Sequence, residues 1–247
     1  HCKLNMLILR KIMDATIVQA EKIDMNVVNK SIAVFQKEMA IEFRSRIALS
    51  SLFLFMVITI STIAFTTAGE RINHYVASAL LWIVLFFGSM TGLSRTFVME
   101  EERGTSFLLK MSSTPIEVFF GKFIFTCSLS LTLSLIGSSL FLFFLPAILI
   151  GNHLLFWLMI CLLSICMASA ITAIAAIIAK ANGKGALFPV LSFPVLLPPA
   201  LLGVEGLSMA LHGAPITEAM STIIVLISYA GIMIAVSSLL FEFIWND

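Results

Sequence analysis

The chain has 247 residues, 60% of them hydrophobic and 12% charged, with a formal net charge of +1. A mean hydropathy of +1.06 excludes an ordinary soluble domain, in which about a quarter of residues are charged, and the balanced charge gives no basis for binding nucleic acid. The apolar residues form blocks near the ~20 residues that a helix needs to cross a ~30 Å hydrocarbon core. Leu52–Ile60 (LFLFMVITI) lacks the polar–apolar alternation of a barrel strand. The expected class is all-α, a polytopic membrane protein of one domain.

Residues 1–30 read as an N-terminal extension without the continuous apolar core and cleavage site of a signal peptide. Met25 is the expected natural start, with 1–24 as either translated upstream sequence or an atypical extension. From Ser31, Ile32, Phe35, Met39 and Phe43 recur every three or four residues in SIAVFQKEMAIEFRSR, one apolar stripe on a helix. Gln36, Lys37, Glu38, Glu42, Arg44 and Arg46 cover much of the rest. Such a helix is expected to lie in the membrane interface with its stripe in the acyl boundary; the alternative is a plain extension of the first span.

Six spans follow, at Ile47–Thr67, Val76–Leu93, Lys122–Leu145, Leu154–Ala179, Ala186–Leu202 and Thr222–Phe243. Lys and Arg collect in cytoplasmic loops. Here 14 of the 15 precede the first span or fall in or beside the second and fourth loops, and Arg71 alone falls in the first. Both termini and the 94–121 loop are therefore expected inside, the N-in/C-in arrangement. Pro189, Pro194, Pro198 and Pro199 lie in the fifth span. Proline removes a backbone donor, so a kink centred on Pro194 and Pro198 is expected, followed by a short re-entrant helix around Gly206–His212.

The second loop, MEEERGTSFLLKMSSTP, is charged where its flanks are apolar. Gly104 interrupts helix propensity after Glu100, Glu101, Glu102 and Arg103, and Thr105 or Ser106 can cap a short helix, SFLLKM. Thr114-Pro115-Ile116-Glu117 has the form of a capping box with proline at the first helical position. A helix should therefore begin at Pro115 and reach the membrane near Lys122. This loop is a candidate docking surface, against the plainer reading of a solvated charge run.

The remaining chemistry is sparse. Cys127, Cys161 and Cys166 fall inside spans, where thiols act as small apolar residues, and their spacing is not that of a metal knuckle. No carboxylate sits mid-span, as an ion-driven transporter would require. Trp82, Trp157 and Trp245 are scattered and suit interfacial belts. No G-x-x-x-x-G-K-[ST] occurs, since Gly121-Lys122 and Gly183-Lys184 are followed by Phe and Gly. ATP, if used, must act through a partner.

The segment Arg95 to Lys122 resembles the acidic–Gly-Thr–Leu-Leu–Pro–Gly-Lys pattern of ABC-2 type transporter membrane subunits. Two further pieces narrow the resemblance. One is F-x-x-E-x-x-x-E/A-F-R, matched by Phe35, Glu38, Phe43 and Arg44. The other is Asn182-Gly183-Lys184-Gly185-Ala186-Leu187 running into Pro194 and Pro198. Together they look like the haem exporter protein B family of cytochrome c maturation, over about Met25 to Asp247. Pro189, Pro199 and the N-terminal extension depart from its pattern.

The resemblance implies an ABC-2 type permease over 31–247, working with a separate ABC ATPase, other cytochrome c maturation membrane proteins and a second copy of itself. Haem would be cargo rather than a resident cofactor, and the setting a bacterial inner membrane or the mitochondrial one. It makes Glu100, Glu101, Glu102, Arg103, Gly104, Thr105, Phe107, Leu108, Met111 and Pro115 the expected ATPase-coupling residues. His74, His153 and His212, all in external loops, become speculative haem contacts, or else helix-end histidines without a ligand. An ABC-2 exporter of a lipid, drug or polysaccharide and a non-transporting scaffold of the maturation complex stay open as alternatives.

Overall fold

The computed structural model describes residues 28–44, 46–68, 72–93, 114–179 and 184–246. All regular structure among them is helical: α1 (28–44), α2 (Arg46–Thr66), α3 (His74–Leu93), α4 (Pro115–Phe144), α5 (His153–Ala179), α6 (Lys184–His212) and α7 (Ile216–Asn246). The last five are long and apolar enough to cross a membrane. The described apolar part of α2, Ser50–Thr66, is shorter.

Each apolar block became one helix, and several helices run a turn or more past the blocks, because polar end residues can continue a helix once it has left lipid. The 30 residues of α4 make a rod of about 45 Å, which leaves some three turns beyond a ~30 Å core. Several polar side chains inside the spans bond to their own helix. Thr59 and Thr62 each donate to the carbonyl four residues back, of Phe55 and Ile58, at 2.8 Å. In lipid no water would do this for them.

Helix α5 is the axis of the bundle, with α3, α4, α6 and α7 packed around it. Its Leu155, Phe156, Met159, Ile160, Cys166 and Ile171 are fully buried. Helices α2 and α7 present large apolar side chains outward, among them Phe53, Leu54, Ile58 and Phe65 on the first and Ile224, Ile227, Ile232 and Leu239 on the second. That outer surface is what a helix facing acyl chains should carry.

Helix α6 corrects one expectation. The fifth span does not stop at Leu202 to be followed by a separate re-entrant helix. One helix runs from Lys184 through Gly206–His212, past all four prolines. Pro199 cannot donate to the Val195 carbonyl four residues back. Tyr229 of α7 does so instead, its hydroxyl donating to Val195 O at 2.6 Å. The helix then ends at a Schellman turn: Gly213 has φ +86°, its N–H donates to Ala210 O at 3.3 Å, and Ala214 N–H donates to Met209 O at 3.0 Å. Glycine takes that conformation without a Cβ penalty. Tyr229→Phe should therefore lower the stability of the purified protein by about 1–3 kcal/mol, the cost of a stranded buried acceptor. Thermal unfolding in detergent measures this, and an unchanged midpoint would mean that the carbonyl finds another donor.

Candidate coupling junction

The two ends of the bundle differ in character. At one end α1 lies across the foot of α4, and Phe241 near the end of α7 meets Phe119 in the second turn of α4, with ring centres 5.8 Å apart. The start of α4 lies at this end. At the other end the start of α3 meets the end of α6.

Helix α1 divides its surface by chemistry. Ser31, Val34 and Glu38, spaced three and four apart, are buried. Val28, Ile32 and Phe43 are exposed at 55%, 43% and 67%, and Phe35 and Met39, on the same stripe, are half-buried. The apolar stripe legible in the sequence thus points away from the protein, and a second face docks. Arg44 is exposed.

The foot of α4 receives that second face. Pro115 takes the first helical position, Thr114 is the N-cap, and the Glu117 carboxylate accepts the Thr114 N–H at 2.9 Å. The expected helix start at Pro115 is thus observed. Glu117 is buried, and its other oxygen lies 3.4 Å from Lys30 Nζ. Ser31 Oγ donates to the Glu117 carbonyl at 3.1 Å. One helical turn on, Gly121 lets the two backbones approach: a Cβ there would lie 2.6 Å from Val34 Cβ and 2.7 Å from Ser31 O. Lys122 is 2% exposed, and its ammonium lies 3.9 Å from Glu38 Oε1. Lys37 approaches the same oxygen to 3.5 Å.

Two motif pieces that are far apart in sequence therefore meet. Phe35 and Glu38 come from one, Gly121 and Lys122 from the other, and the contact between Glu38 and Lys122 joins them. The capping role of Glu117 is legible in the sequence; its burial against Lys30 and Ser31 is not, because nothing in a local sequence window reports a partner 86 positions away. Buried charges persist where they are paired and hydrogen-bonded. The arrangement ties α1 to the foot of α4, so that a displacement of one would carry to the other. It offers no nucleophile–base pair, and no group of three or more metal-ligating side chains occurs among the described residues.

The other expected site residues fall into three sets. Glu100, Glu101, Glu102, Arg103, Gly104, Thr105, Phe107, Leu108 and Met111 lie outside the described residues. Pro194 and Pro198 are exposed on α6. His74 and His212 meet at the far end with ring centres 4.9 Å apart and planes at 81°. His153 opens α5 at the same end and is exposed. There Asn152 Nδ2 donates to Ala214 O at 2.9 Å and Asn152 Oδ1 accepts the Leu155 N–H at 3.1 Å, linking the start of α5 to the turn after α6.

Trp82 is not part of an interfacial belt. It is 6% exposed and lines an apolar groove of about 200 Å³ between α3 and α6, with Phe86, Phe87, Phe193 and Leu197. The pairs Trp82/Phe86 and Phe193/Leu197 are four residues apart, the one sequence signal that could have placed them on facing stripes.

Compared with known proteins, the chain matches the family model described as CcmB protein over residues 29–242. No curated protein matches it.

Proposed function

Because the chain belongs to the CcmB protein family, membrane components of haem export in cytochrome c maturation, we propose that it is the permease half through which a partner ATPase drives haem delivery or haem-chaperone release. The observation that carries this reading is the α1–α4 junction. Two cross-helix ion pairs and a close glycine contact stand at the foot of the span that leaves the 94–113 loop. A displacement of that loop by ATP binding in a partner would reach Pro115 first, then α1 and the rest of α4.

In this reading α2 is a sixth span, the fold is of the ABC-2 type, and both termini face the cytoplasm. Lysine and arginine distribution supports that orientation, and so does the presence of α1 and the end of α7 at one end of the bundle. The exposed stripe of α1 rests in the acyl boundary, which accounts for 67% exposure of Phe43. Pro194 and Pro198 make α6 the helix most able to bend. A second copy of the chain completes the permease, and haem is cargo met at the outer end near His74, His153 and His212. Among the described spans Glu205 of α6 is the one carboxylate away from a helix end, and so sparse a set of ionisable groups favours an apolar cargo such as haem. The membrane is a bacterial inner membrane or its mitochondrial counterpart.

The segment SFLLKM acts as the coupling helix: Phe107, Leu108 and Met111 insert in a cleft of the ATPase, and Glu100–Glu102 with Arg103 form the rim. Buried apolar anchors dominate such interfaces, whereas rim charges contribute less. Phe107→Asp or Leu108→Asp should abolish co-purification of the ATPase without altering membrane insertion. Single changes of these glutamates to glutamine should cost about 1 kcal/mol or less each. Normal ATPase capture by Phe107→Asp together with loss in Glu101→Gln would show an electrostatic tether instead.

A further inference from the structure

We propose that His74 and His212 form a two-histidine site for a divalent transition-metal ion of the zinc or copper class, at the end of the bundle opposite the α1–α4 junction. This inference rests on the outer-end geometry and not on the coupling role.

The two imidazoles come from helix ends whose backbones are held. His74 is the first residue of α3; Asn73 precedes it, with Oδ1 accepting the Tyr75 N–H at 3.3 Å and its carbonyl the Ala77 N–H at 2.9 Å. His212 is the last residue of α6, fixed by the Gly213 turn and by the neighbouring loop: Gly151 N–H donates to Leu211 O at 3.2 Å and Asn152 N–H to Ala210 O at 2.9 Å. His212 is exposed and His74 half-buried, so an ion can reach both from solution.

The separation discriminates between kinds of ligand. With a metal–nitrogen bond of about 2.0–2.1 Å and a ring centre roughly 1.1 Å behind the nitrogen, two imidazoles sharing an ion at a tetrahedral angle have centres about 5 Å apart, and two on opposite sides of an iron about 6 Å. The observed 4.9 Å between ring centres suits the first arrangement and is too short for the second; the T-shaped angle of 81° decides nothing, since each ring can turn about its metal–nitrogen bond. Imidazole nitrogen is a preferred donor for zinc, copper and nickel. The carbonyl end of α6 adds a favourable field for a cation at His212, although the amide end of α3 opposes it at His74. With no third histidine, cysteine or carboxylate grouped there among the described residues, the remaining positions on the ion belong to water. The site is open, and its affinity moderate. Occupancy would join the start of α3 to the end of α6.

The test is titration of the full chain, purified in detergent and stripped with chelator, with Zn²⁺ alone by calorimetry, and with thermal unfolding as a second readout. One ion per chain is expected to bind and to raise the unfolding midpoint. His74→Ala and His212→Ala should each weaken binding by about tenfold or more, while His153→Ala leaves it unchanged. His74→Gln and His212→Gln, which keep a polar side chain, should lose binding with unchanged elution and helix content, which separates ligand loss from misfolding. A Kd above about 1 mM, binding that survives both histidine replacements, or binding lost only with His153 would overturn the proposal.

Discussion

Gly121→Leu is expected to separate α1 from α4 and to abolish cytochrome c maturation, while the chain still inserts in the membrane. The obstruction is not one that a side chain can relieve by rotating. A Cβ at position 121 already lies 2.7 Å from the Ser31 carbonyl oxygen as well as 2.6 Å from Val34 Cβ, and a leucine adds three more carbons. Overpacking usually costs about 1–3 kcal/mol, and a clash with backbone belongs at or above the top of that range. Relief requires α1 to move away bodily, which lengthens the Lys30–Glu117 and Lys122–Glu38 contacts together. The rest of α4 and the other candidate spans do not take part in this contact and should form normally. Haem attached to c-type cytochromes, measured beside the amount of chain in the membrane, checks this. Normal maturation at a normal level would mean that the close approach has no part in function.

The second large effect is expected from reversing the charge of Lys122. Lys122→Glu sets a carboxylate beside Glu38 in a place where Lys122 is 2% and Glu38 6% exposed. Breaking a buried pair by losing one partner costs about 3–5 kcal/mol, and two like charges with little water between them add to that. Glu38→Lys alone should be nearly as damaging, because it faces Lys122. The two together restore opposite charges across the same gap, so the double variant should recover most of the lost stability. Lys37, on the neighbouring position of α1 and 3.5 Å from Glu38 Oε1, would then face a lysine, and recovery is therefore partial. Unfolding midpoints of the three variants give the coupling directly.

The helices could be read from the sequence because lipid leaves so few alternatives. A block of some twenty apolar residues must satisfy its own backbone, and only a helix does so within one segment. The start of α4 was legible for a local reason as well, since Thr114, Pro115 and Glu117 carry a cap within four residues. The end of α6 is equally local, in Gly213 and Pro215, yet the four prolines upstream point to a kink and a separate re-entrant helix. One of the carbonyls that those prolines leave open is satisfied from another helix, since the Tyr229 hydroxyl donates to the Val195 oxygen that Pro199 cannot reach. The same holds for the junction. Both of its motifs could be recognised, but nothing local said that they touch, or that α1 docks through Ser31, Val34 and Glu38 and leaves its apolar stripe free. The meeting of His74 with His212 and the groove at Trp82 likewise depend on how α3 lies against α6.

In the proposed function the α1–α4 junction relays a partner's ATP hydrolysis without itself being the partner's grip. Haem attached to c-type cytochromes, assayed in cells whose only copy of this chain carries Lys122→Glu with or without Glu38→Lys, tests it most directly when ATPase co-purification is followed in the same membranes. Lys122→Glu should retain the ATPase and lose maturation, and adding Glu38→Lys should restore maturation in large part. Full maturation in the Lys122→Glu cells, or a double variant that regains stability but no maturation, would contradict it.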